Sequence, residues 1–192
     1  MKKPSANVRC LGSLLLPLLI LTCLPQACAA ANIWKAFLDK PSASHRDQIA
    51  TKIGECRGSL ECRKALRPGS DDVRRLVALI EAQRPEALEV GFLAMSTLVL
   101  SGGDYEDVME AVAGQIALQP KLFLSLTQEH YRDPELLTKM PMSTVDNPTR
   151  RQAITQERIA ALQSVSDPSL SDAKDWALGV LRGSPERARG AK

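Results

Sequence analysis

The sequence predicts an all-α protein, with antiparallel helix pairs packed as a short helical-repeat (α-solenoid-like) array or an irregular bundle. Three observations carry that expectation. Ala, Leu, Glu, Gln and Arg dominate while aromatics make up only 4% of the residues, a balance that suits helices. No stretch alternates apolar and polar residues over strand length, whereas apolar residues recur three and four apart in several windows. Gly and Pro fall mainly between those windows, where they end one helix and open the next.

In chain order, residues 1–29 read as a secretory signal peptide. Lys2, Lys3 and Arg9 precede an apolar run of 14 residues from Leu11 to Leu24, and Ala27 and Ala29 are the small residues a signal peptidase reads. The run contains Gly12 and Pro17 and is shorter than the roughly 20 apolar residues that span a bilayer. A lipid anchor on Cys23 or Cys28 is the alternative. Such processing wants Leu three residues ahead of the cysteine and Gly or Ala immediately ahead, which Ile20-Leu21-Thr22 and Pro25-Gln26-Ala27 match poorly.

Residues 30–183 are expected to form a single helical domain, and the polar stretch 184–192 a disordered tail. Ile33 to Leu38 makes a short amphipathic helix that ends before Pro41. Ser44 caps a second helix through Ile53, with Ile49 and Ile53 on one face. Gly58 interrupts, and Leu60 to Leu66 adds a turn or two. After the Pro68-Gly69-Ser70 break, Asp71-Asp72 opens a stronger helix. Its Val73, Leu76, Val77 and Ile80 form a buried stripe, with Arg74, Arg75 and Glu81 on the other face.

Pro85 suits a first helical position, where its missing N–H would have no partner. That helix runs to about Leu100 with Leu88, Phe92, Met95 and Val99 on one side. Ser101-Gly102-Gly103 ends it, and Asp104 caps the next by accepting first-turn N–H groups. Tyr105, Val108, Met109, Val112 and Ile116 line one stripe of this helix, which stops before Pro120. Leu122, Phe123 and Leu126 form the apolar side of a helix ending near His130. Pro134, Pro141 and Pro148 exclude a long helix over 132–148, leaving an extended loop with a helical piece at 134–139. Asn147-Pro148-Thr149 starts a helix through Val165, with Ile154, Ile159 and Leu162 inward. Ser169 or Ser171 caps a final helix in which Ala173, Trp176, Val180 and Leu181 share a face and Gly183 is the end.

A repeat lies in the middle. Asp72-Val73, Val77 and Pro85 recur 35 residues later as Asp107-Val108, Val112 and Pro120, a spacing of one helix-turn-helix unit. Phe92, Met95, Val99, Gly103-Asp104-Tyr105, Val108, Val112 and Pro120 stand where a tetratricopeptide repeat has its signature positions. Residues 89–122 therefore resemble one tetratricopeptide-like repeat, departing from it at Ser96, Val108 and Gln115, where that family prefers Gly or Ala.

Residues 1–29 hold three of the 25 basic residues and none of the 22 acidic ones, so the remainder is neutral. A neutral chain offers no electrostatic footprint for nucleic acid or anionic membrane. Loss of that segment also removes Cys10, Cys23 and Cys28. Cys56 and Cys62 stay, and an even pair in an exported chain reads as one disulfide. Six residues of continuous helix rise about 9 Å, whereas bridged Cα atoms lie roughly 4.4–6.8 Å apart. The helix must therefore break between the two cysteines, and Gly58-Ser59 is where it can. Redox pairs favour Cys-x-x-Cys, so the wider spacing reads as a structural staple.

The catalytic inventory is thin. Only His45 and His130 are present, and no Gly-x-Ser-x-Gly, His-Glu-x-x-His or Gly-x-x-x-x-Gly-Lys motif occurs. Glu129, His130 and Asp133 lie close in sequence, but a metal needs three or four converging ligands, and the segment reads as a solvated helix end. The acidic pairs Asp71-Asp72 and Glu106-Asp107 fall in first helical turns, where the helix dipole accounts for them. The expectation is a non-enzymatic, periplasmic or secreted module without cofactor or metal. It would bind another protein, as an inhibitor or immunity protein for an envelope-acting enzyme, and would have no stable membrane insertion after processing. The rival is an envelope enzyme or its accessory subunit whose site forms only in the fold.

Overall fold

The computed structural model describes residues 33–183, apart from positions 57, 98, 99, 101, 131 and 145. The cleavage positions Ala27 and Ala29, the cysteines 23 and 28, the tail 184–192 and Val99 lie outside the described residues. Within them the protein is all-α. In chain order the helices are α1 (33–39), α2 (Ala43–Glu55), α3 (Leu60–Ala65), α4 (Ser70–Glu81), α5 (Pro85–Thr97) and α6 (Gly102–Leu118). They continue as α7 (Pro120–Glu129), α8 (Pro134–Thr138), α9 (Pro148–Ser164) and α10 (Ser171–Leu181). Short 3₁₀ turns cover Met142–Thr144 and Pro168–Leu170.

The arrangement is an irregular bundle around α6. That helix packs against α4, α5, α7, α8 and α9, whereas units of a linear array touch only their neighbours. Its burial follows: Val108, Met109, Ala111, Val112, Ala113, Gln115 and Ile116 are all buried, covering most of the circumference. The 35-residue repeat corresponds to two successive helix pairs, α4–α5 and α6–α7. Pro85 and Pro120 each open the second helix of a pair. The two pairs are tied by Phe92 of α5 and Phe123 of α7, whose rings meet edge to face at 5.5 Å.

The small residue that allows close helix approach is Gly91. A Cβ there would stand 2.9 Å from Ile80 Cδ1 of α4 and 3.0 Å from Val112 Cγ2 of α6. The α4–α5 corner is a Schellman turn: Gln83 N–H donates to the Ile80 carbonyl and Arg84 N–H to the Leu79 carbonyl. Gln83 carries the left-handed conformation, φ 58°, that this motif demands.

Several caps differ from the sequence expectation. Ser42 rather than Ser44 caps α2, accepting from His45 N–H. Asp104 lies inside the first turn of α6, which starts at Gly102, and its carboxylate accepts from Ser70 at 3.2 Å and faces Arg67 at 3.6 Å. It therefore ties the start of α6 to the start of α4 and the residues just before it. Neither Ser169 nor Ser171 caps α10. Asp167 instead caps the preceding 3₁₀ turn, and hydrogen bonds from Ser169, then Lys121, hold its carboxyl down at about 2. Val180 and Leu181 are only half-buried, and Ala177 and Leu178 join Ala173 and Trp176 in the core. Asn147 caps α9 as expected, accepting from Arg150 N–H at 3.0 Å.

Cys56 and Cys62 sit at disulfide distance, with Cα atoms 5.4 Å apart. The break that permits this is at Gly58, φ +85°, followed by Ser59, which caps α3. The loop lies beside another tie, the buried Trp34 indole N–H donating to the Leu66 carbonyl at 2.8 Å. Cys56→Ala with Cys62→Ala should cost about 2 kcal/mol, as expected for opening so short a loop, and should leave the helical circular dichroism unchanged. Thiol alkylation of the native protein without reductant should label neither cysteine; two reactive thiols would refute the staple.

Candidate functional site

The sequence offers two histidines, and the fold treats them differently. His45 lies in the first turn of α2, and its Nδ1 is 2.8 Å from the Lys40 carbonyl, a local contact at the α1–α2 corner. His130 is the C-cap of α7, where the last turn presents unpaired carbonyls. There it meets groups that the sequence does not place together. Its Nε2 lies 3.9 Å from Glu89 of α5 and 4.0 Å from Glu129. The other Glu89 oxygen accepts from Arg46 of α2 at 2.8 Å.

Arg46, Glu89 and His130 thus form a half-buried polar cluster joining α2, α5 and α7. Arg46 also forks onto Asp47, at 2.9 and 2.7 Å. Those contacts, from Asp47 first and Glu89 second, raise the guanidinium above its ordinary value against the cost of its partial burial. Of the expected neighbours of His130, Glu129 is close but largely exposed. Asp133 instead caps α8 by accepting from Glu135 N–H at 2.9 Å. Tyr131 lies outside the described residues.

The chemistry open to this cluster is limited by its geometry. The 3.9 Å between His130 Nε2 and Glu89 is an ion-pair separation, longer than a hydrogen bond. Glycoside-type hydrolysis needs two carboxylates facing across a cleft, but Glu89 is half-buried and held by Arg46 while Glu129 projects to solvent. The cluster's contacts link α2, α5 and α7. Among the described residues, no three His, Cys, Asp or Glu side chains gather in a way that could hold a metal ion.

The acidic pairs are engaged in the same way. Asp71 pairs with Arg74 one turn on, and Glu106 pairs with Lys139 from beyond α8. A similar contact clamps α1 to α4, where Asp39 takes Arg75 at 2.6 Å. Hydrogen bonds from Lys35 and then Arg75 hold the Asp39 carboxyl below its ordinary value.

Sequence reasoning missed Arg158. It lies on the inward face of α9, is 3% exposed, and donates from Nη1 to the Leu137 carbonyl at 2.8 Å. Burial pushes the guanidinium down to about 10. The sequence signal was its place in the i, i+4 row with Ile154 and Leu162, which an arginine is seldom read into.

Open grooves mark the surface. One of about 790 Å³ between α1 and α2 is lined by Ile33, Asp47, Gln48, Thr51 and Lys52, among others. One of about 290 Å³ between α8 and α9 is lined by Glu135, Thr138, Lys139, Met140, Met142 and Arg151. Among the described residues, no helix is long and apolar enough to cross a membrane. No family model, no curated protein and no solved structure matches this chain.

Proposed function

We propose that this chain is an exported, non-enzymatic protein-binding module of the periplasm or extracellular space. In its sharper form it is an inhibitor or immunity protein for an enzyme acting on the cell envelope. The observation that carries the reading is how the ionisable side chains of the candidate site are used. Arg46, Glu89 and His130 face one another across three helices and stitch the bundle. The signal-peptide layout of residues 1–29 and the Cys56–Cys62 pair, suited to an oxidising compartment, support the location.

The test is affinity capture from an envelope extract with the chain starting at Ala30, followed by mass spectrometry. The expected result is one specific protein, recovered in stoichiometric amount and competed by untagged chain. Failure to recover any specific protein across salt and detergent conditions would overturn the reading. The rival, an envelope enzyme or accessory subunit, draws on the approach of His130 to Glu89. It predicts that His130→Gln abolishes a hydrolytic activity on envelope polymers; the binding reading predicts no such activity to abolish.

A further inference from the structure

The segment from Lys139 to Thr144 displays the most exposed large apolar side chain among the described residues, Met142, 74% accessible. The segment is nevertheless pinned. Lys139 pairs with Glu106 of α6, and Met142 N–H donates to Glu110 of the same helix at 3.3 Å. Thr144 is buried, and both its N–H and its hydroxyl donate to the Pro141 carbonyl, at 2.8 and 2.7 Å. An apolar side chain on a loop already held in place loses little freedom on binding, which is what makes an anchor effective. Methionine and arginine are the residue types enriched in the cores of protein interfaces.

The charge beside it indicates the partner. Arg151 lines the same groove as Met142, with the Glu135 carboxylate on its α8 side, and Arg150 precedes Arg151 in the chain. Neither side chain makes an ion pair among the described residues, whereas Lys139 is neutralised by Glu106. Both arginines stand in the first turn of α9, which carries no acid. The positive end of the helix dipole disfavours cations there. A carboxylate arriving from outside would relieve that repulsion while its apolar neighbour covers Met142 and Met140.

We infer that the α8–α9 groove is the docking surface of the binding module, and that it takes a protein segment carrying an apolar side chain next to a carboxylate. The apolar group lies against Met140 and Met142, and the carboxylate pairs with Arg151. This rests on the binding reading above, and its test can fail separately.

The probe is a phage-displayed random dodecapeptide library panned on the chain from Ala30 onward. Enriched peptides should combine an apolar residue with Asp or Glu, and Met142→Asp and Arg151→Glu should each weaken their binding at least tenfold. Leu118→Asp, at another exposed apolar position, should leave binding unchanged. Melting temperatures of all three variants should stay near wild type, because the sites are exposed. Basic or purely apolar peptides, no enrichment, or binding untouched by the Met142 and Arg151 changes would overturn the docking surface. If the envelope partner is still captured by both variants, the groove is wrong and the binding module stands. Arg151-dependent sedimentation with phosphatidylglycerol vesicles, in place of peptide binding, would assign the surface to lipid and overturn the inference.

Discussion

Phe92→Ala will destabilise the protein by about 3–5 kcal/mol, the usual range for emptying a buried aromatic site. Phe92 is fully buried in α5, next to the Gly91 contact with α4 and α6, and its ring meets Phe123 of α7 edge to face. The substitution therefore opens a cavity where the two repeated helix pairs join. It also removes an aromatic contact worth about 0.5–1.5 kcal/mol beyond its area. Arg74→Ala, on the exposed face of α4 with only its Asp71 ion pair, should cost at most about 0.5 kcal/mol. Urea unfolding of the two variants compares them directly, and a Phe92→Ala protein as stable as wild type would contradict the packing.

The second large effect is at Arg158, where the nature of the replacement decides the outcome. The guanidinium is buried with a backbone carbonyl as its acceptor, and burial lowers its proton affinity to about 10. Keeping it charged inside the fold costs roughly 3 kcal/mol at neutral pH on the scale of 1.36 kcal/mol per unit. Against this stands its hydrogen bond to Leu137, in the last turn of the five-residue helix α8, where carbonyls lack intrahelical partners. Arg158→Met keeps the apolar volume and relieves the buried charge but leaves that carbonyl unpaired. It should change stability by no more than about 1 kcal/mol, as replacements of buried ions by apolar residues often do. Arg158→Ala adds a cavity and should lower stability by about 2–4 kcal/mol. Because the folded-state value is the depressed one, the penalty is full below about pH 10 and eases only as pH rises from 10 toward the ordinary 12.5. Wild type should therefore hold level with Arg158→Met up to about pH 9.5 and gain on it above about pH 10, and guanidinium chloride midpoints across that range test it.

The helices were legible wherever apolar periodicity and Pro or Gly punctuation agreed. Val73, Leu76 and Ile80 of α4 and Val108, Met109, Val112 and Ile116 of α6 are buried as their spacing requires. Pro85, Pro120 and Pro148 each open a helix. Caps were less legible, because Ser42 and Ser44 are chemically equivalent and only the backbone turn selects between them. Asp104 matched a cap in sequence, but once α6 begins at Gly102 its carboxylate is positioned to meet Arg67, just before α4, and Ser70, the first residue of α4. The meeting of Arg46, Glu89 and His130 depends on contacts across 43 and 41 positions, which no local spacing encodes. The same limit hid the pinned methionine loop. Its prolines announced a break, while the contacts of Lys139 and Met142 with α6 come only from the bundle.

Export underlies both functional proposals, and intact-mass spectrometry of the protein purified from the periplasmic fraction without reductant tests it most directly. The expected species begins at Ala30, or at Asn32 if the Ala29-Ala30-Ala31 stretch is cut further on. It should carry no added lipid and be lighter by the hydrogens of one disulfide. A protein that retains residues 1–29, bears an acyl chain on Cys23 or Cys28, or is found only in the cytoplasm with both remaining thiols free would contradict the account.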